Sequence, residues 1–166
     1  ADHTDALAGG VPILALDMYE HAYHMDFGAA AGAYVDVFMN NIDWAQVYER
    51  YQLAVHGASE PFGAGPNELS SAEVLDVRRA GMFVKAEALI PGARWQDPAK
   101  VEAWARDVAR DKEIVVYCIY GHEVGRSTAL RLRAQGVKAR FLRGGIDGWQ
   151  AAGLARDGDG SQLSDE

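Results

Sequence analysis

Apolar residues follow two different periods along this chain. Glu113-Ile-Val-Val-Tyr117 is a β-branched and aromatic run, which predicts a buried strand. Val74-Leu-Asp-Val77 and Lys138-Ala-Arg-Phe-Leu142 read as two further short strands. Between and after them the period lengthens. Residues 98–110 place Val101, Trp104 and Val108 on one helical face, and residues 124–135 form a second helix stopped by Gly136. Gly144-Gly145 opens a last short helix around Trp149. Strands separated by helices predict an α/β fold, with a parallel sheet covered by helices on both faces. Nearer the N-terminus, Pro12-Ile-Leu-Ala-Leu16 reads as a strand, and mostly helical patterning follows it.

Charge divides the chain where the pattern changes. The net charge is −8, and residues 1–67 hold all of it, with nine acidic side chains against the single base Arg50. Glu60-Pro-Phe-Gly-Ala-Gly-Pro66 stops any helix, so residues 61–67 read as a linker between a module at 1–60 and a second at 68–156. Residues 157–166 form a polar tail expected to fray. With 49% apolar and 24% charged residues the composition is that of a globular protein. The acidic balance argues against a nucleic-acid partner. No apolar run approaches the ~20 residues that span a bilayer, and no signal peptide is expected. One cysteine excludes an intrachain disulfide and multi-cysteine zinc sites, which fits a reducing cytoplasmic location.

That cysteine, Cys118, ends the central strand and precedes a helix. Backbone N–H groups and the dipole at such a helix start favour a thiolate over a thiol. The plainer reading makes Cys118 a small buried hydrophobe. Topology separates the two, because ligands of parallel sheets gather at the carboxyl ends of the strands.

Four segments carry a resemblance. Leu75-Asp-Val-Arg78, Ile90-Pro-Gly-Ala93, Tyr117-Cys-Ile-Tyr-Gly121 and Phe141-Leu-Arg-Gly-Gly-Ile-Asp-Gly-Trp149 occur in the order seen in rhodanese-type sulfurtransferases. The resemblance spans about residues 69–155. It implies a rhodanese-like sheet and a persulfide carried on Cys118. Sulfur would arrive from thiosulfate or another persulfide donor and leave to a thiol or cyanide acceptor, with no cofactor. It also implies that Ile119, Tyr120, Gly121, His122, Glu123 and Val124 form the substrate cradle, with Asp76 and Arg78 as structural support. Tyrosine phosphatases of related fold place an arginine six positions after the cysteine to clamp phosphate. Here that position is Val124 and the first arginine is Arg126, which disfavours phosphatase chemistry. Glu123 would repel a dianionic substrate, and His122 would offset it when protonated or donate a proton.

The first module carries a second resemblance. Asp17, His21 and His24 fall within roughly 60° on a helical wheel, a plausible set for iron, manganese or zinc. Residues 14–23, and then 33–51, are similar to the C-terminal end of iron/manganese superoxide dismutases. The likeness implies metal ligation by Asp17 and His21, with Glu20 bridging to a partner's copy of His21 and Tyr19 standing where Trp is usual. The family's other two ligands are upstream histidines, and His3 is the only histidine upstream here. The module is therefore expected to be a vestige that packs or homodimerises rather than a working metal centre. Two other readings remain open: a dismutase completed by another chain, and a non-catalytic sulfur sensor.

Overall fold

The computed structural model describes residues 9–154, so His3 and the tail at 157–166 lie outside the described residues. The chain divides into two compact units at Ala54 and Val55.

The first unit contains α1 (Glu20–Phe27), α2 (Ala31–Asn40) and the start of α3 (Trp44–Ser59). Tyr34 of α2 stacks on Tyr23 at 5.2 Å between ring centroids and meets Phe27 of α1 at 5.7 Å. None of the described residues up to Ala54 is buried. The strand expected at Pro12–Leu16 is absent; those residues run as irregular chain. Among the described residues of this unit there is no partner strand to satisfy the N–H and C=O groups of such a run, and a strand exists only in pairs.

The second unit is a five-stranded, wholly parallel sheet in the order β1-β5-β4-β2-β3. Its strands are β1 (Gly63–Ala64), β2 (Glu73–Asp76), β3 (Arg94–Trp95), β4 (Ile114–Tyr117) and β5 (Ala139–Leu142). The intervening helices are α4 (Ala80–Phe83), α5 (Val101–Trp104), α6 (Glu123–Ala134) and, after β5, α7 (Gly145–Ala151). Successive residues of the central strand face opposite layers, as the pleat requires. Ile114 and Val116 join Phe141, Ala129, Leu132 and Trp104 on one side. Val115 and Tyr117 join Ile90, Leu142 and Ile146 on the other.

Two sequence readings are corrected here. Residues 61–67 do not form a linker: Gly63 and Ala64 are buried and pair with Phe141 and Leu142 as an edge strand. Glycine and proline mark this segment because the strand is short and flanked by tight 3-10 turns at Glu60–Phe62 and Pro66–Glu68. The helix over 98–110 shrinks to a 3-10 turn at Pro98–Lys100 and a single α-helical turn, α5. Its apolar face is nevertheless used, since Val101, Trp104 and Val108 are all buried.

Carboxylate–guanidinium pairs tie the edges of this unit together. Arg126 and Arg143 hold the Glu60 carboxyl below its usual range. The Gly65 N–H and Arg140 do so for Glu68, and Arg131 for Glu102. A lowered folded-state value means that these groups stabilise the fold above about pH 4.5 and lose that contribution as pH falls through their folded values. The melting temperature is therefore expected to drop on acidification below about pH 4.5, and less steeply in Glu60→Gln. Parallel melting curves for the two proteins would refute a role for Glu60.

Candidate active site

Strand β4 delivers Cys118 to the carboxyl edge of the sheet. The residue is only 6% exposed and lines a cavity of about 220 Å³. Arg78, Arg79, Met82, Ile119, Tyr120, His122, Glu123 and Val124 complete the lining. Six of the seven residues the sequence assigned to the site share this cavity with one another. The seventh, Gly121, holds the loop's backbone turn.

Gly121 has φ +70°, and a Cβ there would lie 2.7 Å from both the Gly144 nitrogen and the Leu142 oxygen. Only glycine satisfies both demands. Gly145, at φ +59°, is packed as tightly: a Cβ would come within 2.4 Å of the Ile119 oxygen and 2.5 Å of the Cys118 oxygen. The cysteine loop and the first turn of α7 are in backbone contact. The Ile146 N–H donates to the Cys118 carbonyl at 2.9 Å, and the Asp147 N–H to that of Ile119 at 3.0 Å. The Cys118 and Ile119 carbonyls are thus occupied by the first turn of α7. Among the described residues, the N–H groups of residues 119–124 have no backbone acceptor. These N–H groups and the start of α6 leave donors available next to Cys118 in the chain, the kind that anionic sulfur requires. Gly125 lets α6 approach, since a Cβ there would sit 3.4 Å from the sulfur.

Sequence reasoning missed Arg126. Its Nε donates to the Gly121 carbonyl at 3.1 Å, and its Nη1 to Ser59 Oγ at 3.1 Å and Glu60 at 2.9 Å. Its guanidinium also lies 4.2 Å from the centroid of the Phe141 ring. Arg126 braces the loop and is not among the residues lining the cavity. The one available sequence signal was an arginine on the apolar side of a helix.

Asp76 and Arg78 form a buried pair under the cavity. Arg78 Nε donates to both Asp76 oxygens, at 3.1 and 2.9 Å, and Nη2 reaches the Ala88 carbonyl at 3.1 Å. Tyr117 Oη donates to Asp76 at 3.1 Å and accepts from the Ile90 N–H at 3.3 Å. Burial, and then the Asp76 carboxylate, push the Tyr117 hydroxyl well above its usual range, so it stays a protonated donor. Glu123 is not left alone beside the sulfur, as Arg79 Nη2 stands 3.7 Å from its carboxylate. Tyr120 and His122 present tilted rings 5.7 Å apart at the rim.

The family model described as rhodanese-like domain matches residues 63–152, more than half of the 166 residues. The chain belongs to the rhodanese-like family. The match begins at β1, in agreement with a domain that includes that strand. Among solved structures, a rhodanese-related protein from Thermoplasma volcanium aligns with TM-score 0.51 at 20% identity, covering 57% of this chain and 95% of its own. A protein from Rhodopseudomonas palustris, described as of unknown function and a possible tyrosine phosphatase, aligns with TM-score 0.53 at 20% identity, over 61% and 89%. At such identities the likeness establishes the fold.

Ahead of the rhodanese-like domain, the model for the C-terminal domain of iron/manganese superoxide dismutases matches residues 1–50. The iron superoxide dismutase of Cupriavidus metallidurans is 62% identical over 55 residues, 33% of this chain and 28% of that protein. The manganese enzyme of Haloarcula marismortui is 46% identical over 50 residues, 30% and 25% respectively. The chain spans about a quarter of the length of these curated relatives.

Such a relationship implies iron or manganese, so the donor set matters. Asp17 Oδ2 and His21 Nε2 are 3.3 Å apart, with the two side chains 51% and 74% exposed. Helix α1 begins at Glu20, so Asp17 precedes it rather than sharing its face with His21 and His24. Among the described residues no group of three or more His, Cys, Asp or Glu side chains converges to hold a metal. Two exposed donors do not fit a redox metal site, and the zinc set of Asp17, His21 and His24 is not assembled either. Adding iron(II) or manganese(II) is expected to leave the melting temperature of this chain where it was. A metal-dependent rise that disappears in His21→Ala would reverse that conclusion.

Proposed function

We propose that the rhodanese-like domain is a sulfurtransferase that carries sulfane sulfur on Cys118. The observation that carries this reading is a buried cysteine lining a cavity, followed by a loop whose N–H groups have no backbone acceptor among the described residues and whose Cys118 and Ile119 carbonyls are held by α7. The Cys118 thiolate attacks the outer sulfur of a donor; an S–S bond forms, the donor's own bond to that sulfur breaks, and the electron pair leaves with the donor remnant. A thiol or cyanide acceptor then takes the sulfur and restores the thiolate. The exchange needs no external oxidant or reductant. Preorganised N–H groups stabilise the anionic persulfide without rearranging.

Phosphate-ester hydrolysis has less support. It needs a guanidinium free to grip the substrate's oxygens, whereas Arg126 is engaged by Glu60, Ser59 and the Gly121 carbonyl and does not line the cavity. Intact mass after incubation with thiosulfate or a hydropersulfide tests the proposal: a gain of one sulfur is expected, and no gain from any donor would reject it.

For the first unit, the absence of any buried residue among those described, with Met25 at 92% and Leu53 at 67% exposure, favours an association module, which we assign to homodimerisation. Light scattering at micromolar concentration should return twice the mass of one chain; a monomer would reject this. Among the described residues no helix is long and apolar enough to cross a membrane.

A further inference from the structure

We propose that the Arg79–Glu123 pair makes the Cys118 site selective for an organic hydropersulfide over dianionic thiosulfate. The inference rests on the sulfur-carrier reading above and concerns which donor fills the same cavity.

Two cations and one anion line this cavity besides the sulfur: Arg78, Arg79 and Glu123. Arg78 is already committed. Its side chain is 8% exposed and bound to Asp76, so its charge is cancelled before any substrate arrives. Arg79 is the remaining cation, 68% exposed, and Glu123 lies 3.7 Å from it with its own side chain only 22% exposed. Pairing leaves the mouth near electrical neutrality. When the Cys118 thiolate forms, the cavity as a whole becomes negative. A dianion entering it meets that charge and Glu123 together, and must pull Arg79 away from its partner to gain anything.

The remaining walls are of the other kind. Met82, Ile119, Tyr120 and Val124 line the cavity with apolar surface, with His122 beside them, and it has room for several waters' worth of ligand. An organic R–S–SH brings an apolar body to those walls and a neutral or singly charged sulfur to the thiolate. Cys118 attacks the outer sulfur, the S–S bond of the donor breaks, R–S⁻ departs with the electron pair, and Cys118 becomes –S–SH with the proton retained. No net oxidation occurs.

The test follows the rate of one-sulfur gain on the full chain with two donors, benzyl hydropersulfide and thiosulfate, and reads the ratio of their second-order loading rates. In Glu123→Gln the freed Arg79 is expected to move that ratio toward thiosulfate by about tenfold. In Arg79→Gln the unpartnered Glu123 is expected to move it about tenfold the other way. Opposite shifts support the proposal. A ratio that stays within about twofold in both variants, or moves the same way in both, overturns it and leaves the sulfur-carrier reading intact. Failure of the unsubstituted chain to load from either donor overturns both.

Discussion

Cys118→Ser is expected to take up no sulfur from any donor while unfolding at nearly the same temperature as the parent chain. Serine is close to cysteine in shape, so the 6% exposed site keeps its packing. The hydroxyl does not ionise near neutral pH, and an oxygen–sulfur adduct is no substitute for a persulfide. Because the thiolate is the attacking group in the proposed reaction, its loss should lower turnover by at least about 10³-fold rather than shift the affinity for donor. The measurement is intact mass after donor treatment, with sulfite or thiol release followed in parallel. Retention of the one-sulfur gain in Cys118→Ser would place the acceptor elsewhere and end the proposal. The same loss accompanied by a large fall in melting temperature would mean that the variant reports folding, and Cys118→Ala would then separate the two.

Asp76→Ala should cost the second unit about 3–5 kcal/mol, the usual consequence of stranding one member of a buried ion pair. The carboxylate is fully buried and accepts from Arg78 and from Tyr117 Oη. Without it the Arg78 guanidinium keeps the Ala88 carbonyl and weak contacts with the rings of Tyr117 and Phe83, at 5.9 and 6.0 Å. The Tyr117 hydroxyl loses its acceptor as well. Domains of this size have about 5–15 kcal/mol in total, so the variant should populate unfolded forms at moderate temperature. Urea unfolding followed by tryptophan fluorescence measures the loss. Replacing both partners with apolar residues of similar volume should recover much of it, since that removes the stranded charge. A single-variant cost below about 1 kcal/mol would show that solvent reaches the pair.

Strand β4 was legible because it is a continuous, fully buried run, Ile-Val-Val-Tyr, and β2 and β5 because each keeps an apolar pair, Val74-Leu75 and Phe141-Leu142, in the core. Edge strands β1 and β3 left none. At two residues each they are too short for any period, and Gly63-Ala64 looks like a hinge in one dimension. The helix expected over 98–110 failed for a related reason. Its apolar spacing at Val101, Trp104 and Val108 records burial, and burial does not require every backbone bond between those positions to be helical. At Pro12–Leu16 an apolar run had no neighbour to pair with, and pairing is a tertiary event.

The cysteine, its loop and the order of motifs around it were determined by the sequence alone. Residue identity sets which group is the candidate nucleophile, and adjacency in the chain sets which N–H groups follow it. Three things waited for the tertiary structure. Arg126 braces the loop through Ser59 and Glu60, more than 60 positions away in the chain. The Ile146 and Asp147 N–H groups hold the Cys118 and Ile119 carbonyls, an approach that Gly145 permits. Arg79 meets Glu123 across the mouth of the cavity, turning a repulsive carboxylate into half of a pair. Each joins residues far apart in the chain, and Coulombic and hydrogen-bond energies fall off over a few ångströms of space. A linear pattern records which side chains are charged or small; only folding decides which of them come close enough to act on the sulfur.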